Sequence, residues 1–450
     1  MDNSTDPVLN TQIINSRKSV ESGRILARNK NLSYIIALTH NVGFLTPIWV
    51  IFGIDRLGLS LTLSLVLGTT SWVSSSIFEV PLGAFSDKYG RKLSLIFGFS
   101  LNALGCLSLV AFTNFYVLMM FQVFAGVGYA LTSGSLEGLL HDTFEEQGAI
   151  TQYAKLSSRM LSLLNISRIA TIPVGAWLYN LDINAKLTSY TYPYIANALT
   201  YMISMLCVVF LIEKRSSHKQ LDKVTEFGGT KSLFSHATTT WKLLMANRDS
   251  KRVVILLGIY SFIGEGNWAL IQSYFRERGV SVYRSSVVYM IIMGFMALGA
   301  IVVTRVYKTI NVMWAMNIII GLMAVIIAAL HLPINIAYMG FVVIGLVGPM
   351  SWYLQDNAIQ NRMSGDYKTT ALSITSMVYN LGATVGVYGV GALANNFGVL
   401  KSQWIFVGYG ATAFVLMGLW CAKDGFGVRE EDARALFEEA PFDDVVVQKP

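Results

Sequence analysis

Twelve apolar runs, each about as long as a bilayer is thick, leave this chain few folds to choose from. They fall at about 32–54, 61–86, 92–112, 115–138, 156–179, 190–212, 253–275, 285–304, 311–331, 333–355, 369–394 and 402–421. A helix rises about 1.5 Å per residue, so about 20 apolar residues cross a hydrocarbon core about 30 Å thick. An all-α membrane protein of twelve transmembrane helices follows. Composition agrees: 53% of the 450 residues are hydrophobic and 14% are charged, where a soluble chain carries about 25% charged residues.

The polar stretch 213–252, with nine Lys and Arg, separates six runs from six. The expected organisation is an amino tail at 1–31, a six-helix bundle at 32–212, a basic linker at 213–252, a second bundle at 253–421 and an acidic tail at 422–450. With both termini placed in the cytoplasm, 27 of the 34 Lys and Arg fall on the inside, six outside, and Arg168 lies within a span. That bias sets the expected orientation. It also accounts for the net charge of +7, so no nucleic-acid partner is implied and the bilayer is the partner expected. No cleavable leader is evident ahead of the first run. Cys106, Cys207 and Cys421 are widely spaced, and no residues stand at metal-ligand spacing. Neither a disulfide framework, a metal nor a cofactor is expected.

Between the second and third runs stands Gly83-Ala-Phe-Ser-Asp87-Lys88-Tyr89-Gly90-Arg91-Lys92. Gly83 suits close helix approach, Gly90 permits a tight reversal, and the basic residues anchor the turn in the cytoplasm. A plain basic turn would explain Lys88, Arg91 and Lys92 but neither the glycines nor Asp87. The pattern G-x-x-x-D-x-x-G-R-K resembles the signature of the major facilitator superfamily, at the same place between helices two and three. The resemblance covers about residues 30–421 and implies two pseudo-symmetric six-helix bundles. It also implies a cytoplasmic gate in which Asp87 and Arg91 latch the outward-open state. The chain looks like the bacterial and archaeal branch that includes drug:proton antiporters, where acids at the end of helix four pair with motif basics. Glu137 and Asp142 are then candidate partners for Arg91 and Arg159. Two departures stand against that branch. The second-half copy, Gly299 to Arg305 and Lys308, lacks the acid, and Ile172-Pro173-Val174-Gly175 has lost the glycine before proline.

Ionisable groups at membrane depth cost about 2.5–3.5 kcal/mol on insertion scales and are functional candidates by default. His40, beside Asn41, lies in the first run. Glu79 is eight residues, or about 12 Å, above Asp87. Arg168 shares a helix face with Asn165, and Glu265 sits at mid-depth between Gly264 and Gly266. The family fold implies that Arg168 and Glu265 can meet across a central cavity; a structural ion pair is the plainer alternative. Trp268, Gln272 and Asn380 add an aromatic and two amides that suit an amphipathic organic solute.

The leading expectation is a secondary transporter of the cell membrane, monomeric, working by alternating access. No phosphate-binding G-x-x-x-x-G-K-[ST] sequence is present, so an ion gradient, most simply of protons, would supply the energy. Export of a hydrophobic or cationic compound comes first, and uptake of a small nutrient or metabolite by symport or uniport is the alternative. A membrane enzyme or a transporter-like sensor is a remote third: the five histidines lie in unrelated segments.

Overall fold

The computed structural model describes residues 7–181, 190–213, 229–306, 311–360 and 365–422. Among them are fifteen helices and no strand: α1 (Pro7–Thr39), α2 (Trp49–Asp55), α3 (Leu61–Tyr89), α4 (Arg91–Ala111), α5 (Phe115–Thr132), α6 (Ser135–Glu146), α7 (Ile150–Asn180), α8 (Thr191–Phe210), α9 (Gly229–Ala246), α10 (Arg248–Glu277), α11 (Val282–Val306), α12 (Val312–Ala329), α13 (Ile334–Gln360), α14 (Gly365–Phe397) and α15 (Val399–Cys421). Eleven helices are long and apolar enough to cross a membrane. The first apolar run, interrupted between α1 and α2, is not among these eleven. Asparagine opens three of the helices: Asn114, Asn247 and Asn311 accept first-turn N–H groups of α5, α10 and α12, which would otherwise be left unpaired.

Four segments differ from their sequence reading. The run 32–54 is not one helix: residues 40–48 form turns. Pro47 has no N–H to give and disfavours helical backbone at Thr46. At Gly43 the turn also lies so close to α7 that a Cβ would strike the Arg168 carbonyl and the Ile172 side chain. The run 115–138 breaks at Gly134, whose φ is 68°, so α6 is a helix of its own. The amino tail is helical from Pro7, and the polar linker carries α9. Linker residues 214–228 and tail residues 423–450 lie outside the described residues.

The chain divides into two compact units, one of Met1–Trp49 and Leu67–Val224, the other of Val50–Val66 and Thr225–Pro450. In the first, α4 packs on α5 and α8, and α1 on α7 and α8. Its core joins Ile36, Phe99, Leu139, Phe144 and Tyr201. In the second, α10 pairs with α14, α11 with α13, and α12 with α15. Large apolar side chains such as Leu161, Ile166, Val325 and Leu419 face outward, as lipid-facing positions should.

Candidate functional site

Three polar clusters interrupt these apolar bundles. The first lies at the motif, in the first unit. Gly90, with φ at 108°, separates α3 from α4 in a backbone region that side chains resist. The turn brings the Arg91 guanidinium to 2.8 Å from the Asp142 carboxylate of α6. Glu213, just beyond α8, accepts the backbone N–H groups of Arg91 and Lys92 at 2.9 and 3.3 Å. Lys92 donates its Nζ to the Leu211 carbonyl at 2.8 Å. A carboxylate on the two first N–H groups of α4 satisfies orphan donors and meets the positive end of its dipole.

Glu137 and Arg159 are not brought into this cluster. Both are exposed and neither makes an ion pair among the described residues. The break at Gly134 starts a new helix and leaves Glu137 in its first turn. Among the described residues nothing lies within 4 Å of a Cβ on Gly83, so none of them makes a close helix approach there. The glycine that makes room is Gly138, where a Cβ would collide with the Arg91 guanidinium. The side chains of Asp87 and Lys88 lie outside the described residues, as does Lys308.

The second cluster surrounds the interrupted α1, also in the first unit. The turn is tied to α7 by the Gly43 N–H on Thr171 Oγ1 at 2.7 Å and by Ser167 Oγ on the Leu38 carbonyl at 2.5 Å. Between those two tethers, on α7, stands Arg168. It is half-buried, lies within electrostatic reach of the Tyr129 and Tyr201 phenols, and makes no ion pair among the described residues. The two phenols share a hydrogen bond of 2.9 Å. The His40 ring meets Phe99 edge-on at 5.5 Å, and Phe99 stacks on Tyr201 at 6.5 Å. Asn41 is exposed. Asn165 is spent on its own helix, donating to the Leu161 carbonyl at 2.9 Å. Glu79 is exposed, with Ser133 Oγ at 3.5 Å.

The third cluster is in the second unit. Glu265, half-buried on α10, accepts a short hydrogen bond from the Tyr379 hydroxyl of α14. No ion pair reaches it among the described residues. Tyr260, one turn and a residue earlier, reaches the Gly348 carbonyl of α13 at 3.4 Å and bonds the Ser351 side chain. Asn380 follows Tyr379 on α14, its carbonyl accepting from Thr384. Trp268 packs edge-on against Tyr289 at 5.5 Å. Gln272 does not line a cavity: it is 2% exposed, and its Oε1 accepts the N–H groups of Val50 at 2.7 Å and Ile51 at 3.3 Å. It caps α2. At the same end Arg276 pairs with Asp55 at 2.6 Å, and Glu277 accepts the Val399 N–H at 2.7 Å.

Sequence reasoning offered Asp142 as a partner for Arg91, and the structure brings the two together; it missed Glu213, Gly138, Tyr129 with Tyr201 as a bonded pair, and the hydroxyl of Tyr379. The small side chain at 138, one helical position from Glu137, was the one local signal for Arg91's seat.

A family model described as Major Facilitator Superfamily matches residues 32–387. An uncharacterized MFS-type transporter, YxaM of Bacillus subtilis (strain 168), is 26% identical over 142 residues. That match covers 32% of this chain and 34% of the relative, so the chain matches about a third of that relative's length. The fold is similar to that of the nucleoside transporter NupG, with a TM-score of 0.67 at 14% identity over 88% of this chain and 98% of that one. It is similar to a bacterial homolog of the human lysosomal transporter Spinster, inward-facing and unoccupied, at 0.65 and 13% over 90% and 98%. A D-xylose-proton symporter aligns at 0.62 and 15% over 88% and 97%.

Proposed function

The chain belongs to the major facilitator superfamily and is a multi-pass membrane transporter rather than an enzyme, and from that footing we propose that it couples proton entry to export of a small, largely hydrophobic organic solute. The observation that carries the proposal is Glu265. It is a carboxylate at mid-depth in α10, held by a tyrosine hydroxyl and without an ion pair among the described residues. Ionised, it needs that hydroxyl and any water that enters; protonated, it is neutral and tolerates closure. A group whose charge disappears on taking a proton makes one face of the cycle passable only when loaded. Alternating access then converts the gradient into solute movement. About 1.4 kcal/mol is available for each pH unit, and about 2.3 kcal/mol for each charge per 100 mV.

The charge bias of the loops supports placing both termini in the cytoplasm, and the carrier is proposed as a monomer of the cell membrane. The Arg91–Asp142–Glu213 cluster is then the inner gate, with Asp87 beside it in sequence. Uptake by symport is the second reading, favoured by the likeness of fold to a D-xylose-proton symporter.

The test is flux in proteoliposomes. With an imposed pH gradient, the parent should concentrate a fluorescent hydrophobic dye or a metabolite from a panel, and collapse of the gradient with a protonophore should release it. Accumulation indifferent to the protonophore would remove proton coupling.

A further inference from the structure

Arg168 and Glu265 pose different problems to a membrane protein. A carboxylate sheds its charge by taking a proton; a guanidinium stays charged at any pH a cell reaches. Buried charges are therefore paired, and among the described residues four other arginines, buried or partly exposed, have acceptors. Arg91 has Asp142, Arg276 has Asp55, and Arg252 has Asp249 and the Trp420 carbonyl. Arg278 has the Leu330 carbonyl. Arg168 has no such acceptor among the described residues. Of the described acids of its own unit, Asp142 is on Arg91, Glu213 on α4, Glu79 beside Ser133, and Glu137 is exposed.

The surroundings are those of a recognition site. The Tyr129–Tyr201 pair spends one phenolic proton between its two oxygens, and Tyr201 also bonds the Asn197 side chain; with Tyr201 as the shared donor, the Tyr129 proton is left for a further acceptor. Non-helical backbone at membrane depth occurs only where it is buried in protein or lines a cavity. Here it is the turn after α1, roped to α7 on both sides of Arg168. Discontinuous helices mark solute sites in transporters.

We propose that Arg168, Tyr129 and Tyr201 form the anion-binding end of the transport site, and that the solute is an amphipathic organic monoanion, a carboxylate on an apolar body. One cation balances one negative charge, whereas a phosphate dianion would call for a second. The rings of Phe99 and His40 beside the phenols suit an apolar body. This rests on the transporter reading above, and it turns the choice between hydrophobic and cationic solutes toward a hydrophobic one with a negative head. The rival account is structural: the C-terminal carbonyls of α1, the negative end of its dipole, offset Arg168 and no solute is involved.

The purified full-length protein in detergent is offered three probes on one ring system: naphthalene-2-carboxylate, naphthalene-2-methanol and 2-naphthylmethylammonium. Binding is read by equilibrium dialysis near neutral pH. The carboxylate should bind about tenfold tighter than the alcohol, the span of one charge-assisted hydrogen-bonded contact, and the ammonium no tighter than the alcohol. Arg168→Gln should level the carboxylate and the alcohol, while Arg168→Lys should keep part of the preference. The double variant Tyr129→Phe with Tyr201→Phe keeps the cation and should weaken the carboxylate alone. It decides the matter if Arg168→Gln does not fold. Equal binding of the three probes by the parent, preference for the ammonium, or a carboxylate preference that survives both variants would overturn the proposal. The structural account predicts that last result, with only thermal stability changed. Proton-driven flux of a neutral or cationic solute with no carboxylate preference would overturn this site and leave the transporter. Carboxylate preference in a protein that moves no solute would do the reverse.

Discussion

Glu265 and Arg168 are charges of opposite sign, each placed mid-span in its own unit and each served by tyrosine. Glu265 sits on an uninterrupted helix and takes one hydroxyl; Arg168 sits beside a broken one, within electrostatic reach of a bonded phenol pair. The difference follows from chemistry. An acid can discard its charge by itself, so a single adaptable hydrogen bond is enough. A guanidinium cannot, so its surroundings must offer permanent acceptors or leave room for a visiting one. On this reading the carboxylate carries the energy and the guanidinium carries the solute. The comparison breaks if either variant behaves like the other.

The largest effect is expected at Glu265. Glu265→Gln keeps shape and the tyrosine contact but removes the titration, so accumulation driven by a pH gradient should fall to background while downhill exchange persists. The measurement is uptake into proteoliposomes with and without the gradient. If Glu265→Gln still concentrates solute as the parent does, another group carries the proton, and Glu79 and Glu137 are next. Poor insertion rescued by Arg168→Gln would instead reveal a structural ion pair.

Next in size is the response to voltage, which separates export from uptake. Exchange of one inward proton for one outward monoanion moves two positive charges inward, worth about 4.6 kcal/mol per 100 mV. Symport of the same two species moves none. Clamping the potential with valinomycin and potassium should therefore change export steeply. A flux blind to voltage would assign the carrier to symport.

The motif supplies a control arginine. Arg91 already has its carboxylate, and the pair is 21% and 43% exposed at its two side chains, so it contributes only about 0.2–1 kcal/mol. Gly138→Ala should push the guanidinium off Asp142 and slow transport several-fold with little change in thermal stability. It should leave the preference among charged, neutral and cationic probes untouched. A shift in that preference would mean that the two arginines share one role.

Much of the architecture was legible because lipid allows so few solutions: twelve apolar runs of bilayer length read directly as crossings. The interruption at 40–48 was less visible, although Pro47 was in plain sight, because hydropathy averages over a window longer than the turn. Long-range partners were hidden for another reason. Glu213 lies more than a hundred residues from the N–H groups it accepts, and nothing local marks it. Gln272 misled because an amide at depth looks the same whether it lines a cavity or caps a helix. Only the position of α2 decides between the two.

That cap yields the smallest and most local contrast. The two units each have a short-range weakness of the same kind, a helix start whose N–H groups are satisfied by a side chain from far along the chain. At α2 the acceptor is Gln272, 2% exposed, serving Val50 and Ile51. At α4 it is Glu213, half-exposed, serving Arg91 and Lys92. Removing a buried acceptor strands donors that water cannot reach, at a cost of about 1–3 kcal/mol. Removing an accessible one lets water take its place, at about 1 kcal/mol or less. Gln272→Ala should therefore lower the melting temperature in detergent more than Glu213→Ala does, while Gln272→Glu, which retains the acceptor oxygen, should recover part of the loss. Equal losses from both alanine variants would mean that water reaches α2 as freely as α4, and that Gln272 is not sealed in the protein at all.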